Sequence, residues 1–213
     1  MLFGSISYLN LLPFQIFLNR YITHNGASMS FRYKRAVPSE INRALRRGTI
    51  NAAFISSVES RRYRCANLGI IADGSVYSVL LIDGEDSQDP ASATSNALSQ
   101  RLGLKGRVLI GDAALQYYLN GGEALDLSLE WKEQTGLPFV FARLCFNRYD
   151  KYMRDLVKAF RHSHQRTPQY ILKREAKKRA ITPKQLLWYL EHIHYDIDYR
   201  AKRSLKLFLD GGK

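Results

Sequence analysis

Strand-like and helix-like segments alternate through the first 55 residues in the order strand, helix, strand, helix, strand. That order confines the chain to an α/β sheet with crossover helices. Met1 to Ser7 is a short apolar run, followed by a turn at Tyr8-Leu9-Asn10 and a helical stretch from near Pro13. A proline in the first helical turn forfeits no hydrogen bond, because that N–H has no intrahelical partner anyway. FRYKRAV then reads as a strand, Val37-Pro38-Ser39-Glu40 opens the helix INRALRR, Gly48 closes it as the C′ residue, and Thr49 to Ile55 gives the third strand.

The pattern resumes at SVYSVLLID, a strand, and continues through a Ser/Ala/Asp-rich connection to Thr94, a helix from Ser95 to Leu102 and the strand RVLIG. Asp112 stands where an N-cap is expected ahead of AALQYYLN, which ends at Gly-Gly. A turn and short helix around DLSLEWKEQTG lead into the strand PFVFARLCF. Beyond Asp150 the periodicity predicts helices over about 150–165, 167–179, 183–194 and 196–209, the third opened by Thr182-Pro183.

Charge is the unusual feature of the composition. The chain of 213 residues holds 32 Lys and Arg against 19 acids, a formal +13, which on its own would suggest nucleic acid or an anionic membrane. Residues 1–142 contain 14 basic and 12 acidic residues, residues 143–213 contain 18 and 7, so the last third carries +11 of the total. There Lys and Arg alternate with apolar residues, as in MRDLVKAFRHSHQR, the pattern of a solvated outer face of packed helices. With no zinc-finger spacing, aromatic RNP-like strand or basic region leading into heptads, no nucleic-acid partner is expected. Cys65 and Cys145 read as reduced thiols of a cytoplasmic protein rather than a framework bridge. The N-terminal segment lacks the basic n-region of an export signal, and no run approaches the 18 apolar residues of a membrane span.

Three segments place small hydroxyl or amide residues at strand ends or helix starts: Ser7-Tyr8-Leu9-Asn10, Ser56-Ser57-Val58-Glu59 and Ala93-Thr94-Ser95-Asn96. In open α/β sheets ligands bind at such positions, where helix N-termini offer unpaired N–H groups to an anion. The strings SYLNLLPF, VPSEINRALRRGTINAAFISSVE, GSVYSVLL, ATSNAL, IGDAAL and DLSLEWKEQTGLPFVFA, with YLEHIHYDIDYRAKRSLKLF at the end, resemble in order the MqnA family, chorismate dehydratases of the futalosine route to menaquinone. The similarity spans nearly the whole chain, with a middle that looks trimmed between ATSNAL and IGDAAL.

The resemblance implies a type II periplasmic-binding-protein-like fold, two α/β lobes around a cleft. Residues 1–77 with about 147–213 would form lobe 1, and about 78–146 a shortened lobe 2. It also implies a cytoplasmic enzyme that removes water from chorismate to give 3-[(1-carboxyvinyl)oxy]benzoate, without metal or cofactor. Asn10 and Ser78 are the expected catalytic residues. Ser56, Ser57, Thr94, Ser95 and Asp112 are expected to bind the dicarboxylate. None of the matched hydroxyl and amide side chains is a useful general base at neutral pH, so the substrate's own enolpyruvyl carboxylate is expected to take the proton. Plainer roles compete: Asn10 as a helix cap, Ser56 and Ser57 as a strand end, Thr94 and Ser95 as loop, Asp112 as N-cap. His162/His164 and His192/His194, at i, i+2 on predicted helices, point to different faces and are not expected to share a metal. The tyrosines read as packing residues. A non-catalytic carboxylate-binding protein remains the alternative.

Overall fold

A computed structural model describes residues 1–24, 31–163 and 166–211. Strand β1 (Leu2–Ser5) buries Phe3 and runs through a 3₁₀ turn at Leu9–Leu11 into helix α1 (Leu12–His24). Strand β2 (Arg32–Arg35), helix α2 (Pro38–Arg46) and strand β3 (Ala52–Ser56) follow, and both β2 and β3 pair parallel with β1. These are the crossover units expected from the alternation. Proline opens α2, and Gly48, at φ +69°, lies just past its end. After the single turn α3 (Ser57–Ser60) comes β4 (Arg64–Ala72), the longest strand.

The chain then builds a second sheet from β5 (Val79–Ile82), helix α4 (Ala93–Leu102), β6 (Arg107–Ile110), helix α5 (Gly111–Leu119), β7 (Leu125–Asp126) and helix α6 (Leu127–Thr135). Strand β8 (Phe139–Phe146) returns to the first sheet, and α7 (Asp150–His162), α8 (Gln169–Lys178), α9 (Pro183–Glu191), β9 (His194–Asp196) and α10 (Tyr199–Asp210) complete the fold. The larger sheet has the order β2-β1-β3-β8-β4-β9, the smaller β6-β5-β7. One large buried cluster, from Phe3 through Phe54 and Trp131 to Phe208, runs through both. Among the described residues no helix is long and apolar enough to cross a membrane.

Several expectations need correction. Strand β8, placed in lobe 2 by the boundary at 146, lies at the centre of the larger sheet, antiparallel to both β3 and β4. Strand β4 had no counterpart in the sequence reading: its first four residues are exposed or half-buried and its register breaks between Cys65 and Gly69. A Cβ on Gly69 would sit 2.6 Å from the Ala142 carbonyl oxygen, so the glycine allows a close backbone approach and interrupts the apolar run. The C-terminal third is not helical throughout, because β9 adds to the edge of β4. That moves His194 onto a strand and leaves His192 as the C-cap of α9; His164 lies outside the described residues. Cys65 and Cys145 are joined in a disulfide, where reduced thiols were expected. The β4/β8 register sets them directly opposite each other, although 80 residues separate them in the chain.

Candidate functional site

Between the two sheets lies a cavity of about 80 Å³, walled by Ile6, Phe54, Ile70, Val76 and Phe141 among others. Its polar lining is Tyr8, Asn10, Ser56, Ser78, Ser92 and Ser95. The volume holds only a few waters, less space than a ring acid fills.

Each polar group is delivered by an element end. Asn10 stands in the 3₁₀ turn; its carbonyl accepts from the Tyr195 hydroxyl at 2.8 Å, while its side-chain amide makes no hydrogen bond among the described residues. It does not cap the turn, whose N-cap position is Tyr8. Ser56 ends β3, where Asn42 donates to its Oγ at 3.2 Å and accepts from its N–H at 3.3 Å. Ser78 precedes β5, pairs with the Tyr189 hydroxyl at 2.9 Å, and accepts at its carbonyl from the Gly111 N–H at 2.7 Å. Ser92 is the N-cap of α4, accepting from the Ser95 N–H at 3.2 Å and donating to Ser95 Oγ at 2.7 Å. The N-terminal turns of α4 and α5 thus border the cavity at Ser95 and Gly111, and their dipoles favour an anion there. Gly111 has φ +65°, and a Cβ on it would meet the Tyr8 ring at 2.9 Å.

Three expected site residues face elsewhere. Ser57, fully buried, donates to the Val140 carbonyl at 2.6 Å. Thr94 Oγ1 accepts from the Val58 N–H at 3.4 Å, joining α4 to α3. Asp112 is not the N-cap of α5, a position held by Ile110; its carboxylate turns to the Leu9 N–H at 3.3 Å and to Arg179 Nε at 2.5 Å. Sequence reasoning missed Tyr8, Ser92, Tyr189 and Tyr195. Tyr8 and Ser92 sat in or beside the polar segments, whereas Tyr189 and Tyr195 had only the aromatic pattern of a packing face.

Burial, with Asp89 and Asp112 nearby, pushes the Tyr8 hydroxyl up to about 12, and burial also raises Tyr189 and Tyr195. All three stay protonated at neutral pH and act as neutral hydrogen-bonding groups. No carboxylate, imidazole or amine lines the cavity among the described residues. Nor does any group of three or more His, Cys, Asp or Glu there have an arrangement that could hold a metal ion. The arrangement suits binding of an anion by N–H and O–H dipoles and offers no protein base.

A family model described as menaquinone biosynthesis matches residues 1–107 and 89–213, together the whole chain. The chain belongs to the menaquinone-biosynthesis family. Within the family, a Campylobacter jejuni protein named chorismate dehydratase is 41% identical over 218 residues, covering 100% of this chain and 98% of that one. The short middle is therefore shared with that relative. A Thermus thermophilus chorismate dehydratase is 27% identical over 261 residues, covering 97% and 93% of the two chains. Among solved structures, an Archaeoglobus fulgidus protein superposes with TM-score 0.68 at 14% identity over 99% of this chain and 95% of that one. A Candida albicans protein described as having the generic periplasmic binding protein fold superposes with TM-score 0.57 at 8% identity, over 99% and 89%. The family member described here thus has a periplasmic-binding-protein-like fold.

Proposed function

We propose that the protein is a chorismate dehydratase, a hydro-lyase that converts chorismate to 3-[(1-carboxyvinyl)oxy]benzoate in menaquinone biosynthesis. The observation that carries this reading is the full-length 41% identity to a protein of that name. The cavity supports it, because a dicarboxylate needs hydrogen-bond donors and a substrate that supplies its own base needs none from the walls.

In the proposed reaction the enolpyruvyl carboxylate removes the proton from the ring carbon bearing the ether. The ring π-system takes up the electron pair of that C–H bond as the neighbouring C–O bond breaks. The departing hydroxide and the transferred proton leave as water, and the ring becomes aromatic. Asn10, whose amide is unengaged, is assigned to the departing hydroxyl or the enolpyruvyl group, and Ser78 to a carboxylate. Ser56 and Ser95 contribute further donors at strand and helix ends. Ser57, Thr94 and Asp112 serve the same site by holding its walls rather than by touching substrate. A cytoplasmic setting belongs to this proposal on the strength of the resemblance; the Cys65–Cys145 bond favours an oxidising one, and thiol trapping in fractionated cells decides between them.

Purified protein incubated with chorismate is expected to form an ultraviolet-absorbing aromatic product. Asn10→Ala is expected to lower kcat by about 100-fold, the scale of losing one transition-state donor. Full turnover in both Asn10→Ala and Ser78→Ala would refute the site, and tight binding of chorismate without turnover would make the protein a carrier of a small carboxylate.

A further inference from the structure

The Ser78–Tyr189 pair contains two hydroxyl protons and a single hydrogen bond. Both residues are 2% exposed, and the 2.9 Å contact is the only hydrogen bond either hydroxyl makes among the described residues. Two arrangements are possible. If Ser78 donates, the Tyr189 proton is left in the core without an acceptor, the costly case for a buried donor. If Tyr189 donates, the proton left over is that of Ser78, whose side chain lines the cavity where a ligand oxygen can accept it. The second arrangement leaves no buried donor stranded once ligand is bound.

We infer that Tyr189 is a positioning residue, donating to Ser78 Oγ so that the Ser78 proton points into the cleft at a carboxylate oxygen of the substrate. The inference rests on the dehydratase reading and deepens it, by specifying an anionic oxygen acceptor beside Ser78. Three further observations support it. The Tyr77 and Trp188 rings, immediate neighbours of the pair in sequence, pack with centroids 4.6 Å apart and clamp α9 against the start of β5. Burial keeps the Tyr189 hydroxyl protonated, so it remains a donor across the working pH range. The same stretch of chain sends the Tyr195 hydroxyl to the Asn10 carbonyl at 2.8 Å, so α9 and β9 brace both expected reacting residues. A donor chain of this kind also polarises, strengthening the terminal Ser78 bond when its acceptor is charged.

The test is a double-mutant cycle on the full-length protein with chorismate, using Tyr189→Phe, Ser78→Ala and the pair. Tyr189→Phe is expected to raise KM about 5- to 20-fold with kcat changed less than about 2-fold, and to have no further effect in the Ser78→Ala background. Independent, multiplying losses, or an unchanged KM in Tyr189→Phe, would overturn the inference and leave the dehydratase reading standing. A wild-type protein that neither binds nor turns over chorismate would overturn both. Should Tyr189→Phe fail to fold, 3-fluorotyrosine at position 189 supplies a stronger donor in nearly the same space. A lower KM that disappears in the Ser78→Ala background is then expected, and an unchanged KM would overturn the inference.

Discussion

The Arg179 guanidinium joins three parts of the chain: Nε donates to Asp112 at 2.5 Å, Nη1 to Glu175 at 2.9 Å and Nη2 to the Ser7 carbonyl at 2.6 Å. Its side chain is only 13% exposed. Arg179→Ala leaves Asp112 without its ion-pair partner, while Glu175 keeps Arg174 and Lys178, and is expected to cost about 2 kcal/mol in urea unfolding. Burial alone would raise the Glu175 carboxyl, but hydrogen bonds from Lys178, Arg179 and Arg174 bring it down to about 2 from an ordinary 4.5. The folded state therefore favours the ionised form. Its stabilisation is complete above about 4.5 and is lost as pH falls toward about 2. Glu175→Gln is expected to flatten that part of the stability–pH curve, measured by thermal unfolding at stepped pH. Of the site residues, the small polar ones at strand ends were legible from their types and places. The tyrosine hydroxyls were not, because a tyrosine that packs and one that also donates look alike in sequence.

At the scale of elements, local chemistry located the start of α9 and the end of α2 but misplaced the cap of α5 and the end of α9. Thr182 and Gln185 form the reciprocal box that opens α9, with Thr182 Oγ1 accepting from the Gln185 N–H at 3.1 Å and the Thr182 N–H donating to Gln185 Oε1 at 2.7 Å. Thr182→Ala is expected to lose about 1 kcal/mol of stability in urea unfolding. Asp126 does more than cap α6. One oxygen accepts from the Ser128 and Leu129 N–H groups at 2.9 and 3.2 Å, the other from Val76 and Tyr77 at 2.8 and 2.6 Å. It thereby fixes the segment that delivers Ser78, including Tyr77 at φ +58°. Asp126→Asn turns an NH₂ group toward N–H donors and is expected to lower kcat/KM for chorismate about 10-fold, with an accompanying fall in melting temperature.

For the whole molecule, the excess charge acquires a location. Among the described residues, a groove of about 420 Å³ beside the cleft is lined by Arg20, Arg35, Arg174, Lys178 and Arg179 against the single acid Glu175, and Tyr8 lines both groove and cavity. Such a field draws a dianion toward the cleft and is screened by salt. The kcat/KM for chorismate is expected to fall with ionic strength, and Arg35→Gln to lower it a few-fold at low salt with kcat unchanged.

By itself the sequence determined the strand and helix segments of the first 55 residues, the caps at Gly48 and Thr182, and the polar segments that hold Asn10 and Ser56, whereas Ser78 was expected only from the family resemblance. These depend on periodicity and on backbone preferences within a few residues. Tertiary structure alone decided that β8 crosses into the larger sheet, that Cys65 meets Cys145 and that Tyr189 reaches Ser78 across 111 residues. Contacts of that kind leave no local pattern. They form when the packing of the entire core repays the entropy of closing long loops, a balance no short segment carries.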